Sequence, residues 1–159
     1  MTEESSGAVV YLDSMAFIIA VEGEPTAAQP VETLLDVLRA HSGAGVTSEL
    51  TLAEVLAGPR IPHNPFLKRT YLDLMVWSKF LDLVSISREL LYRSADLRFA
   101  HRESYGKKLS LPDAIHLVTA IGKKCRYFVS ADKDLNPPTQ IRKVGPRADG
   151  IGEILKGLA

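Results

Sequence analysis

The sequence predicts a three-layer α/β/α sandwich with a central parallel sheet, and three observations carry that expectation. Ala8 to Leu12 and Tyr127 to Val129 are short, wholly apolar runs, as expected of strands buried on both faces of a sheet. Amphipathic helical segments alternate with such runs along the chain, the pattern of crossover units between parallel strands. Asp13 directly follows the first apolar run and Asp132 lies three residues past the end of the second, at the C-terminal edge where open α/β sheets bind their ligands.

A chain of 159 residues has the length of one domain and can enclose a real core. Its 19 basic and 19 acidic residues cancel, so net charge argues for neither a nucleic-acid nor a membrane partner, while leaving room for a local basic patch. The single cysteine, Cys125, excludes an internal disulfide and a CxxC zinc site and fits a reducing, cytoplasmic setting. No apolar run approaches the length of a membrane span. Met1 to Gly7 is polar and acidic, reads as a disordered tail, and carries no mark of a signal peptide. The domain is expected over residues 8–145, with residues 146–159 as a C-terminal tail holding one short helix.

Taken in order, the first strand ends at Asp13-Ser14, and Met15 to Val21 form a short apolar helix stopped by Glu22-Gly23. A second helix covers Ala27 to Ala40, with Pro30 in its first turn and Leu34, Leu35 and Leu38 as its buried stripe. Gly45 to Thr47 make a very short strand; Thr47 or Ser48 caps a helix through Glu49 to Ala57, which Gly58-Pro59 stops. Within it Glu54 lies at the edge of the buried stripe, beside Leu50 and Ala57. After a loop punctuated by Pro59, Pro62 and Pro65, Phe66 to Phe80 read as a helix apolar around much of its circumference, which calls for burial on more than one side, as in a homodimer. Leu83 to Ser85 form a strand, Ser87 caps a helix to about Arg102, and Ser104 to Lys108 make a basic loop. Ile141 to Val144 read as an edge strand and Ile151 to Leu158 as a weak helix with two glycines.

The most informative stretch is Leu109 to Leu135. Ser110 is an N-cap, Pro112 suits a first turn, and Asp113 lies three residues after the cap. Leu111, Ala114, Ile115, Leu117, Val118 and Ile121 form the apolar face, with His116 on the polar side; Gly122 ends the helix, and Lys123 and Lys124 suit its C-terminal carbonyls. Asp13, Glu54, Asp113 and Asp132 therefore each stand where an element meets the functional edge or on a half-buried helix face. Oxygen donors of this kind suit Mg²⁺ or Mn²⁺, and such an ion can activate water for phosphodiester hydrolysis. Each acid also has a plainer reading: Asp113 as half of a capping box, Asp13 and Asp132 as cap or turn residues, Glu54 as a solvated side chain. Asp134 competes with Asp132 for the fourth place, but Asp132 is nearer the strand end. No Walker or GxGxxG loop is present, and Asp13 lacks the Asp-x-Asp context of an aspartate-nucleophile phosphatase.

The blocks VVYLDS, TSELTLAEV, LSLPDAIHLVTA and FVSADKDL occur in the order, and close to the spacing, of a PIN domain, spanning residues 8 to 144. The chain resembles in particular the VapC-type toxins of toxin–antitoxin pairs. The resemblance implies a PIN fold and a metal-dependent endoribonuclease, with Asp13, Glu54, Asp113 and Asp132 as the acids that bind Mg²⁺ or Mn²⁺. Ser130, matching the hydroxyl residue of the family's strand-end motif, would position a metal-bound water. It further implies an RNA substrate and a cognate antitoxin, for which apolar surface on the two early helices would serve. Ser-Ala-Asp stands where Thr-Asn-Asp is more usual, a departure that removes no acid. The alternative is a PIN-like module that binds a partner without catalysis, which has no reason to keep four converging acids. For His116 a structural or solvent role is expected rather than that of a general base. Arg98, His101, Arg102, Lys107 and Lys108 read equally as an RNA track and as a solvated surface.

Overall fold

A computed structural model describes residues 9–159; the tail expected over Met1 to Gly7 lies outside them. Five parallel strands form one sheet in the order β3-β2-β1-β4-β5: β1 (Val10–Leu12), β2 (Gly45–Ser48), β3 (Leu81–Val84), β4 (Tyr127–Val129) and β5 (Arg142–Val144). β1 pairs with β2 on one side, Tyr11 opposite Val46, and with β4 on the other, Tyr11 opposite Phe128. The connections run outward in both directions from β1, so the crevice beyond the ends of β1 and β4 is the topological switch point of the sheet.

Pleating sends alternate β1 side chains to opposite layers. Val10 and Leu12 face a core built with α1 (Ser14–Glu22), α2 (Pro25–Ala40), α3 (Glu49–Leu56), α4 (Pro65–Leu72) and α7 (Ala148–Leu158). Tyr11 faces the other layer, where Ala114, Leu117 and Ala120 of α6 (Leu111–Gly122) pack with Phe128, Val46 and Leu97 of α5 (Arg88–Tyr105). The expected α/β/α sandwich is therefore present.

Several local expectations are corrected. β3 begins at Leu81, two residues earlier than expected, because an edge strand tolerates Asp82, whose carboxylate pairs with Lys123 at 3.0 Å. The helix expected over Phe66 to Phe80 is α-helical only to Leu72 and passes into a π-helical turn over Asp73–Trp77. Tyr71 and Met75 lie in the chain's own core, and the apolar groups left open are Phe66, 81% exposed, and Trp77, 56% exposed. α2 likewise buries Leu34, Leu35 and Leu38 internally, and Met15 is the large apolar side chain of α1 that remains exposed. Gly122 is the last residue of α6 without being its left-handed cap; Lys124, at φ 54°, makes that turn. α7 starts three residues before the expected Ile151, and Ile151 and Ile154 are core residues. A Cβ at Gly157 would overlap the Tyr127 ring, so that glycine is what lets α7 lie against β4.

Candidate active site

Asp13 is the N-cap of α1. Its carboxylate accepts from the Ala16 N–H at 3.3 Å, and its own N–H donates to the Val129 carbonyl at 3.3 Å, lacing the ends of β1 and β4 together. Ser130, buried just past β4, lies beside the Asp13 carboxylate, whose anion its hydroxyl favours, and accepts the Asp132 N–H at 3.1 Å. Asp132 in turn accepts the Asp134 N–H at 2.9 Å, an Asx turn that shapes the loop. The Lys143 ammonium holds that loop from the β5 side, donating to the carbonyls of Asp132 at 2.8 Å and Leu135 at 2.7 Å. Asp134 points away into an ion pair with Lys107 at 2.8 Å, which lowers its pKa.

Asp113 sits in the first turn of α6, where Ser110 Oγ accepts its backbone N–H at 3.2 Å as the sequence leads one to expect. Its carboxyl lies near that of Asp132. Glu54, on α3, reaches His116 Nε2 at 2.7 Å. His116 itself is a correction: far from lying on a polar helix side it is 3% exposed, because residues 114 to 120 of α6 are all buried between the sheet and α5. Its Nδ1 is 2.6 Å from the Tyr11 hydroxyl. Tyr11 is the site residue that sequence reasoning missed. A phenol in the middle of an apolar strand was the available signal, since a buried tyrosine hydroxyl needs a partner.

Burial pushes the Asp13 carboxyl above its ordinary value, opposed by the bonds from Ser130 and Ala16 and aggravated by the charge of Glu54. Asp113 is also raised, first by burial and then by the neighbouring Asp132, with the Ser110 bond opposing. The anion is thus held at two positions that disfavour it. Among the described residues no group of three or more His, Cys, Asp or Glu side chains stands close enough to hold one metal ion between them. Magnesium keeps several waters and needs only one or two carboxylates. The Asp113–Asp132 pair, joined to Asp13 through Ser130, fits such an ion in donor chemistry.

Beside Ser130 and Asp132 opens a groove of about 860 Å³ lined also by Lys133, Arg142, Lys143 and Arg147. Of the basic run, Arg98, Arg102, Lys107 and Lys108 are exposed and His101 is buried. Arg98 donates to the Leu109 carbonyl at 2.9 Å, and Lys107 is paired with Asp134.

Residues 10–137 match the model of the PIN domain family. No curated protein matches the chain. Among solved structures it is similar to the VapBC2 complex of Rickettsia felis bound to a promoter DNA fragment, at 15% identity and TM-score 0.63, covering 86% of this chain and 98% of that one. A toxin–antitoxin complex from Klebsiella pneumoniae is similar at 25% identity and TM-score 0.59, over 86% and 97% of the two chains. FitAcB from Neisseria gonorrhoeae is similar at 17% identity and TM-score 0.64, over 87% and 98%.

Proposed function

The chain belongs to the PIN domain family, and from that premise we propose that it is a metal-dependent endoribonuclease, the toxin of a type II toxin–antitoxin pair. The observation that supports the reading is a pair of acidic contacts drawn from four separate blocks, Asp113 beside Asp132 and Asp13 near Glu54, at the switch-point edge of the sheet. Asp13, Asp113 and Asp132 would hold Mg²⁺ or Mn²⁺, with Glu54 as the fourth acid. When bound, such an ion supplies an activated water and charge neutralisation at a phosphodiester. The chain's own residues do the rest. Ser130 favours the Asp13 anion, and through the Asp132 N–H it fixes the loop that presents the Asp132 side chain. Lys133 and Arg147, for which no ion pair is found among the described residues, would bind the phosphates of an RNA strand lying in the adjoining groove.

The likeness to toxin–antitoxin complexes supports a cognate antitoxin as the protein partner. Exposed Phe66 and Trp77 support a homodimer. Among the described residues no helix is long and apolar enough to cross a membrane. The test is cleavage of single-stranded or loop RNA by the purified chain. Cleavage is expected with Mg²⁺ or Mn²⁺ and not in excess EDTA; full cleavage in chelator, by protein free of contaminating nuclease, overturns the mechanism. A chain that binds RNA or an antitoxin yet never cleaves is the non-catalytic module.

A further inference from the structure

We propose that Tyr11 and His116 form a buried relay that orients the Glu54 carboxylate at the site. The inference rests on the reading of Glu54 as a metal-holding acid. Both ring nitrogens of His116 are engaged, Nε2 with Glu54 at 2.7 Å and Nδ1 with the Tyr11 hydroxyl at 2.6 Å. A carboxylate accepts, so the bond to Glu54 calls for a proton on Nε2, and in the tautomer that leaves Nδ1 bare the Tyr11 phenol donates to it. Thr47 spends its one hydroxyl proton on the Leu12 carbonyl at 2.7 Å, so at 2.8 Å it accepts from Thr51, and the relay itself begins at the Tyr11 phenol. Tyr11 and His116 hand a fixed hydrogen-bond direction from β1 through α6 out to Glu54.

Packing makes the relay stiff. The Tyr11 ring stacks on Phe128, with centroids 4.8 Å apart and planes 15° from parallel, and His116 meets it edge-on at 5.8 Å. A histidine and a tyrosine placed in a core for packing alone would be outdone by apolar side chains, because buried polar groups lose solvation. These two do not close on backbone groups; they end on a part-exposed acid at the site. Hydrogen-bond partners behind metal-binding side chains commonly govern affinity by about 10–100-fold.

Two measurements on the full chain test this. The first is a long-range proton–nitrogen NMR spectrum of the wild-type protein near neutral pH. His116 is expected with a protonated Nε2 and a bare Nδ1; a proton on Nδ1, alone or with Nε2, overturns the relay. The second is Mn²⁺ binding to metal-free protein, read by the electron paramagnetic resonance of free Mn²⁺. Tyr11→Phe keeps the stacked ring and is expected to weaken binding by about tenfold, with no further loss in a Glu54→Gln background. Unchanged Mn²⁺ affinity in a folded Tyr11→Phe variant overturns the relay and leaves the nuclease reading standing. A wild-type chain that neither binds Mn²⁺ nor cleaves RNA overturns that reading and the relay with it. Should Tyr11→Phe fail to fold, the wild-type tautomer decides alone.

Discussion

Asp113 serves local structure and chemistry through different atoms. Its backbone N–H completes the helix cap with Ser110 Oγ, while its carboxyl faces Asp132. Asp113→Asn therefore keeps the cap and removes the charge. We expect it to abolish RNA cleavage and to leave the metal-free protein at least as stable as the wild type; an active, destabilised variant would reduce Asp113 to a capping residue. The pH dependence has a definite sign. A folded-state pKa above the unfolded one means that the native state holds its proton more tightly, so stability falls as pH rises from the ordinary carboxylate value of about 4 through the raised one. Asparagine does not titrate. In chelator, the melting temperature of Asp113→Asn relative to wild type should be most favourable near neutral pH and decline as pH falls through that window. A difference constant with pH would mean that the Asp113 charge carries no strain.

At the scale of elements, α6 is the piece most legible from sequence and the one where reading by periodicity fails most clearly. Ser110, Pro112 and Asp113 mark its start because a cap is a local contract between residues three apart. Ser110→Ala should therefore lower stability by about 1 kcal/mol, a fall of roughly 2–4 °C in a melt of a domain this size. An unchanged melt would show that the cap is dispensable. The reading of His116 went astray for the opposite reason. A helix wheel assigns a polar side to every amphipathic pattern, but α6 is enclosed along its middle, and the partners of His116 lie 105 and 62 residues away. The same division runs through the candidate site. Asp13 and Asp132 were legible from the strand ends they follow, whereas Tyr11 was hidden inside an apolar run that reads only as core. α7 was underestimated because its glycines lower intrinsic helicity; Ile151 and Ile154 packed into the core compensate, and Gly157 is required by the neighbouring Tyr127.

For the molecule as a whole, two properties follow from what the fold leaves unsatisfied, one outside and one at the site. Outside, Phe66 and Trp77 stand open on the segment where Leu67, Tyr71, Leu74, Met75 and Phe80 are buried and Leu72 and Val76 half-buried. We expect sedimentation to show a dimer at micromolar concentration and Phe66→Ser/Trp77→Ser to shift it toward monomer; a clean wild-type monomer without a partner would reject self-association. At the site, Asp13 and Asp113 are held where burial disfavours their anions, and Asp113 faces a second carboxylate. Two carboxylates about 4 Å apart repel by roughly 4 kcal/mol at an effective dielectric near 20. The unfolded chain escapes that repulsion by separating the charges, whereas the native state needs a proton or a cation to relieve it. A cation that binds only the folded form stabilises it by mass action, by about 2.7 kcal/mol at a hundred times its dissociation constant. For a domain of this size that amounts to roughly 5–10 °C in melting temperature. Wild-type protein should thus melt higher in saturating Mg²⁺ than in EDTA by about that interval, and Asp113→Asn should respond much less because it has lost both a ligand and part of the repulsion. Equal responses of the two proteins would place the bound cation away from Asp113, and with it the proposed chemistry.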